Sequence, residues 1–305
     1  MLVSMKALLD VAKVHKFAVA APNVFSLETT EAAYQCAREL EAPIILNVWD
    51  DGDKLWIEKQ SEIVKFFDKK YPDVICALNL DHGQSYDREV AAIKSGFTSV
   101  MTDRSTLPFE ENISAVKRIV DVAHAVNVSV EAELGHVGQG EEYATTRDQW
   151  LTKPEEAAEF VSKTGCDMLA VAIGTSHGAY KGTPIIDFDL LKVLSESLNV
   201  PLVLHGGSNT GDDNLRKCVE FGIQKINLCT DLQSAYIDGV KRQEKLEDNT
   251  FRKLYDAGPE AWKQELKHYI KLFKSTGKAN LFNEYLSKPD EEYYGSDEED
   301  FVLTT

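Results

Sequence analysis

Short apolar runs alternate with amphipathic stretches along most of this chain. The runs "FAVAAPNV", "PIILNV", "VICALNLDH", "SVMTD", "SVEAEL", "DMLAVAIG", "PLVLHGG" and "KINLCTD" have the length and character of buried strands. Helical spacing of apolar positions predicts helices over Leu27–Leu40, Asp87–Ser95, Glu111–Ala125, Pro154–Thr164, Phe188–Leu198 and Asp212–Phe221. Strand and helix in alternation imply parallel strands joined by crossover helices. Eight strands at regular spacing favour an α/β fold of the closed (β/α)8 TIM-barrel type. A doubly wound sheet would want a Gly-rich turn after its first strand, and "AAPNVFSLET" has none.

Beyond Asp231 the pattern is helical to about Phe273, with Pro259 expected to open a new helix at an Asp256–Gly258 break. Gly138–Trp150, "GQGEEYATTRDQW", is a long polar connection after the fifth strand, suited to a mobile active-site loop. The end, "SKPDEEYYGSDEEDFVLTT", is acidic and poor in aliphatics. One barrel domain over residues 1–285, with extra C-terminal helices, and a solvated acidic tail over 286–305 are expected.

Composition narrows the partners. A hydrophobic fraction of 43% in 305 residues is enough for a sizeable core. The formal charge of −17 argues against nucleic acid or an anionic membrane surface, but not against a phosphorylated small substrate. Five scattered cysteines (Cys36, Cys76, Cys166, Cys218, Cys229) form no CxxC pair and are expected as buried thiols. The first residues lack a signal peptide's continuous apolar core, and no run is long enough to span a bilayer. A cytoplasmic protein is expected.

The polar residues at the strand ends carry the candidate chemistry. In order they are Asn23, Asp81 with His82, Asp103, Glu133, His177, His205, Asn227 and Asp231. Three of the seven histidines close strands and are followed at once by glycine, in "DHG", "SHG" and "LHGG". In a barrel all three face one mouth, because catalytic residues come from the C-terminal ends of different strands. Three neutral imidazoles with an open fourth position describe a catalytic zinc site, although the ligand set alone also admits cobalt or iron. Carboxylates such as Glu133 and Asp103 can orient the imidazole N–H groups. Asp103 can also serve a second ion.

"HGGSNTG" and "INLCTD" stand where barrels commonly bind phosphate, after strands seven and eight. Gly206, Gly207 and Ser208 can offer backbone N–H groups and a hydroxyl, and Asn227 and Thr230 can add side chains.

These residues resemble the class II, metal-dependent ketose-bisphosphate aldolases. The likeness runs from Asn23 to Asp231 through "DHG", "SVMTD", "LPFEENI", "VEAELG", "AVAIGTSHGAYKG", "LVLHGGS" and "KINLCTDL". It is closest in character to the fructose- and tagatose-bisphosphate aldolases. The resemblance implies one Zn2+ on His82, His177 and His205, with Glu133 as an alternative metal carboxylate. It implies Asp81 as the acid/base on the aldehyde side and Glu141 and Glu142 as loop glutamates that move a proton on dihydroxyacetone phosphate. Asn23, Gly178, Gly206 to Ser208, Asn227, Leu228, Cys229 and Thr230 would hold substrate, with a monovalent cation (Na+ or K+) nearby. A homo-oligomer, dimer or tetramer, is expected.

The inventory agrees with that chemistry. Cleavage between C3 and C4 leaves an enediolate, whose charge needs a Lewis acid or a Schiff base. The Schiff-base route wants a lysine at an inner strand end; "LAVAIG" carries none and Lys225 enters its strand at the wrong end. Two rivals are a zinc-barrel hydrolase, which usually places an HxH pair after strand one, and a sugar-phosphate-binding barrel without catalysis.

Several residues depart from the family pattern. Val48, Trp49 and Asp50 stand where relatives show a small hydroxyl residue, Arg104 replaces a small residue, and Asn209 replaces a glycine. Pro22 stands where an aromatic is common. Trp49, Asp50 and Arg104 are therefore candidate aldehyde-side specificity residues, the alternative being that they point into solvent.

Overall fold

The computed structural model describes residues 1–138, 147–178 and 184–282. Eight parallel strands form one sheet: β1 (Val19–Pro22), β2 (Ile44–Trp49), β3 (Cys76–Gly83), β4 (Ser99–Thr102), β5 (Ser129–Leu134), β6 (Met168–Val171), β7 (Leu202–Leu204) and β8 (Lys225–Leu228). From β2 to β8 each strand pairs in parallel with the next, and β8 returns to β1 with Val19 opposite Lys225. The ring closes between β1 and β2 through an Asn23–Asn47 bridge and the Val24 N–H donated to Asn47 O at 3.0 Å. This is a (β/α)8 TIM barrel.

Helices alternate with the strands: α1 (Met5–His15), α2 (Leu27–Glu39), α3 (Lys54–Lys70), α4 (Tyr86–Ser95), α5 (Phe109–His124), α6 (Pro154–Thr164), α7 (Phe188–Ser197), α8 (Asp212–Glu220), α9 (Thr230–Glu244) and α10 (Phe251–Leu272). The six predicted helices end within about two residues of expectation, as frayed termini allow. The pattern does not predict α1 and α3. α1 buries Met5, Leu8 and Leu9 against strand residues that include Val19 and Ala21, in a cluster separate from the main strand–helix core.

The break expected at Pro259 is absent, and α10 runs through it as one helix. The reason is a close crossing with α9. A Cβ on Gly239 would meet Ala257 O at 2.5 Å, and one on Gly258 would meet the Tyr236 ring at 2.4 Å. Packing along this seam holds the helical path where local propensity would end it. No helix among the described residues is long and apolar enough to cross a membrane. The tail assigned to residues 286–305 lies outside the described residues.

Candidate active site

The C-terminal ends of the strands surround a cavity of about 550 Å³. Asp81 and His82 both line it, although neighbours on a regular strand point to opposite faces. The backbone explains this. Between the pairs Leu80–Val100 and Gly83–Thr102, β3 takes three steps while β4 takes two. The extra residue is a β-bulge, and His82 sits in the left-handed region at φ 52°.

The three strand-end histidines converge, with ring centroids 4.6 Å (His82–His205), 5.0 Å (His82–His177) and 5.7 Å (His177–His205) apart. Each ring has one nitrogen anchored outward. His82 Nδ1 meets Asp103 at 2.8 Å, His205 Nε2 meets Glu131 at 2.8 Å, and His177 Nδ1 meets Val137 O at 3.0 Å. Those acceptors leave His82 Nε2, His205 Nδ1 and His177 Nε2 facing one another, and in the neutral rings, with their protons outside, three lone pairs converge. His205 Nδ1 and His82 Nε2 are 3.0 Å apart, and the buried His177 Nε2 has no hydrogen-bond partner among the described residues. Lone pairs do not bond to each other. Their convergence fits a cation that accepts all three, and the three ligand atoms lie within 4.8 Å of one another.

The surrounding charge points the same way. Burial lowers the His82 imidazole, but Asp81, the Asp103 hydrogen bond and Glu133 outweigh it and raise it to about 10. Burial and the other two imidazoles lower His177 to about 3. Neighbouring carboxylates favour positive charge here, while a single spot cannot take three imidazolium ions. One divalent cation satisfies both demands.

Asp81 is held at both oxygens. Oδ2 accepts the Asn23 amide at 2.9 Å and Oδ1 the Asn227 amide at 3.0 Å. Burial pushes this carboxyl up, but His82, His205, Lys225 and the Asn23 amide outweigh it and hold it below the ordinary aspartate range. Asn23 and Asn227, expected to hold substrate, both donate to Asp81.

Beneath the histidines runs a chain that the strand-end reading missed. Lys225, fully buried at the first position of β8, donates to Glu131 Oε2 at 2.6 Å, and Glu131 Oε1 meets His205 Nε2. The sequence signal was present: Glu131 and Glu133 are two apart in the buried strand "SVEAEL" and therefore share its inner face. Glu133 Oε1 accepts the Val137 N–H at 3.0 Å, and Glu133 groups with His82 and Asp103 as a second possible ligand set.

On the β7–β8 side, Gly178, Gly206, Gly207, Ser208, Cys229 and Thr230 line the cavity. Gly206, at φ 66°, lies so close to Ser176 that a Cβ would fall 2.2 Å from the Ser176 carbonyl oxygen. Ser208 Oγ accepts the N–H groups of Cys229 and Asp231 at 3.1 and 3.2 Å, tying the β7 loop to the start of α9. The Gly207 N–H is donated to Asn227 O at 3.2 Å, which leaves the start of α9 as the edge of this wall that favours negative charge. Asn209 takes φ 59°, the left-handed conformation that asparagine tolerates. Leu228 departs from expectation: its side chain is fully buried in the core, and its carbonyl accepts the Asn23 N–H.

The family described as "Fructose-bisphosphate aldolase class-II" matches residues 3–278. The chain belongs to this family. It is 38% identical over 284 residues to a Staphylococcus aureus fructose-bisphosphate aldolase, covering 91% of this chain and 99% of that one. The Geobacillus stearothermophilus fructose-bisphosphate aldolase is 37% identical over the same length. The crystal structure of the YdjI aldolase from Escherichia coli K12 superposes with a TM-score of 0.82 at 34% identity, covering 92% of this chain and 100% of that one. The protein is a class II aldolase, an aldehyde-lyase acting on carbon–carbon bonds, and the family is zinc-dependent in general.

In this aldolase the three aldehyde-side candidates separate. Trp49 lines the cavity and is 48% exposed. Asp50 and Arg104 point neither to the cavity nor to solvent, which corrects both expectations. Asp50 is fully buried, accepting from Gly52 N–H, Gln84 N–H and Arg88 Nε. Arg104 donates to Gly83 O, Asp103 O and Glu89. A buried charge needs a partner, and each has found one below the rim. His136 also lines the cavity, its Nδ1 2.9 Å from Ser105 Oγ. Glu141 and Glu142 lie outside the described residues.

Proposed function

We propose that this aldolase reversibly cleaves a ketose 1,6-bisphosphate of the fructose or tagatose type to dihydroxyacetone phosphate and an aldehyde such as glyceraldehyde 3-phosphate. The observation that carries the reading is the meeting of three imidazole nitrogens beside a doubly anchored Asp81. His82, His177 and His205 would hold zinc, which supplies a Lewis acid to stabilise the negative charge that develops as the carbon–carbon bond breaks.

The chain's own groups divide the remaining work. Asp81, ionised and fixed by Asn23 and Asn227, takes the proton of the C4 hydroxyl in cleavage and returns it in condensation. The Gly206–Ser208 turn, with the Ser208 hydroxyl and Thr230 at the start of α9, would bind the phosphate of the dihydroxyacetone half. A monovalent cation beside that phosphate would offset its charge. Glu141 and Glu142 move the proton at carbon on the same fragment, and Trp49 borders the aldehyde fragment on the β2 side. Free cysteines, four of the five buried, suit a reducing cytoplasm.

The test is a coupled assay for triose phosphate released from fructose or tagatose 1,6-bisphosphate, alongside metal analysis of the purified protein. Bound zinc with chelator-sensitive triose phosphate release is expected. A metal hydrolase would release none. Turnover undiminished after complete metal removal would overturn the reading.

A further inference from the structure

The bulge that aims Asp81 and His82 at one cavity is costly in backbone terms, because a non-glycine residue at φ 52° has to be held by its surroundings. What holds it is the hydrogen-bonded Arg104–Glu89 pair outside the cavity. Arg104 Nη1 donates to Gly83 O at 2.6 Å and to Asp103 O at 2.7 Å. One guanidinium thus ties the residue after His82 to the residue whose carboxylate anchors His82 Nδ1. Arg104 Nη2 donates to Glu89 at 3.1 Å, and their side chains are only 16% and 1% exposed. Glu89 also packs on the bulge itself: a Cβ at Gly83 would lie 2.8 Å from its Cγ. From the β2 side, Asp50 braces the next residue by accepting the Gln84 N–H at 3.0 Å, while its own N–H donates to Asp81 O at 3.1 Å.

We propose that Arg104, fixed by Glu89, is a positioning residue for His82: it sets the ring's approach to the metal by clamping Gly83 and Asp103 on either side of the His82–Asp103 pair. The inference rests on the reading of His82 as a metal ligand. It gives Arg104 a role in metal geometry, where its sequence position had suggested contact with the aldehyde.

The test replaces zinc by cobalt and records the visible absorption bands, which report ligand geometry directly, and measures zinc loss to a competing chelator. Arg104→Met should shift the cobalt bands and raise zinc loss about 10-fold or more, the range for partners of metal ligands. It should lower kcat more than it alters KM for the bisphosphate. Because Arg104→Met leaves the buried Glu89 carboxyl without its partner, the double variant Arg104→Met with Glu89→Gln is measured beside it and should show the same shift. A lowered unfolding temperature with wild-type cobalt bands and wild-type zinc loss in both variants would make the pair merely structural and overturn the proposal. His82→Ala separates the two levels: if it keeps zinc as tightly as the wild type, the metal reading itself fails. If His82→Ala loses zinc while both Arg104 variants match the wild type, only this proposal fails.

Discussion

His205 Nδ1 lies 3.0 Å from His82 Nε2, each turned toward the other by a carboxylate behind its ring. Two ring nitrogens so placed need a proton or a metal cation between them. Zinc removal should therefore abolish activity, and zinc or cobalt should restore it. His82→Ala, His177→Ala and His205→Ala should each lower zinc content well below one ion per chain. Full occupancy in the triple variant, by metal analysis, would put the ion elsewhere.

Asp81→Ala should lower the cleavage rate by about 10²–10⁴-fold, the usual contribution of a general acid/base. Asn23 and Asn227 would lose their shared acceptor, while the glycine loops on the β7–β8 side keep their own contacts. Dihydroxyacetone phosphate binding, read by calorimetry, should change little. A rate loss under tenfold would remove Asp81 from proton transfer.

Lys225 and Glu131 are both fully buried and bonded at 2.6 Å. Lys225→Met should cost about 3–5 kcal/mol, because it strands the Glu131 carboxylate inside the barrel. Lys225→Met with Glu131→Gln should cost less than the single change, since no unpaired charge remains. Urea unfolding of the three proteins checks the order. A double variant weaker than the single by the full sum would mean that the pair is not what stabilises this layer.

Glu89 makes stability depend on pH. Burial raises its carboxyl to about 7; Arg104 and hydrogen bonds oppose the rise and Asp50 adds to it. The folded chain therefore holds a proton that the unfolded chain releases above the ordinary glutamate range. Stability from this group is present at low pH and is lost as pH rises from about 4.5 to about 7. Glu89→Gln keeps the acceptor for Arg104 and removes the titration. Its stability relative to the wild type should increase across that window, on the order of 2–3 kcal/mol by pH 8. A difference flat in pH would show that Glu89 is ionised throughout.

Much of the architecture was legible because burial imposes period. The strands of a barrel covered on both faces are continuous apolar runs, and each is followed by a helical stripe, so strand number and order follow from spacing. The three histidines were legible because strand ends share one mouth. Four features were not. The bulge at His82 is a matter of register between β3 and β4, which neither strand's pattern records. Arg104 and Asp50 look like loop polars because their partners, the buried Glu89 and the partly buried Arg88, lie on α4. The Glu131–Lys225 pair needs two strands brought together across the barrel. At Pro259 the local signal was right about propensity, and the Gly239–Gly258 seam overrode it.

Trp49 is the one of the three aldehyde-side candidates that lines the cavity, and it stands opposite Asp81 in the β2–β3 register. Its carbonyl accepts the Trp56 indole N–H at 3.2 Å, and the N–H of the next residue donates to Asp81 O, so the backbone beneath the indole is fixed. A fixed aromatic face at a cavity rim favours the C–H faces of a carbon chain over a dianionic group. Trp49→Ser should weaken the cleaved ketose by about 1 kcal/mol, roughly fivefold in KM. Binding of dihydroxyacetone phosphate should stay as it was, because the site proposed for its phosphate is on the β7–β8 side. In the condensation direction, the variant should lose discrimination between glyceraldehyde 3-phosphate and unphosphorylated aldehydes of similar length. Equal kinetics for wild type and Trp49→Ser across such a panel would leave the indole as a surface residue and return aldehyde selection to other walls of the cavity.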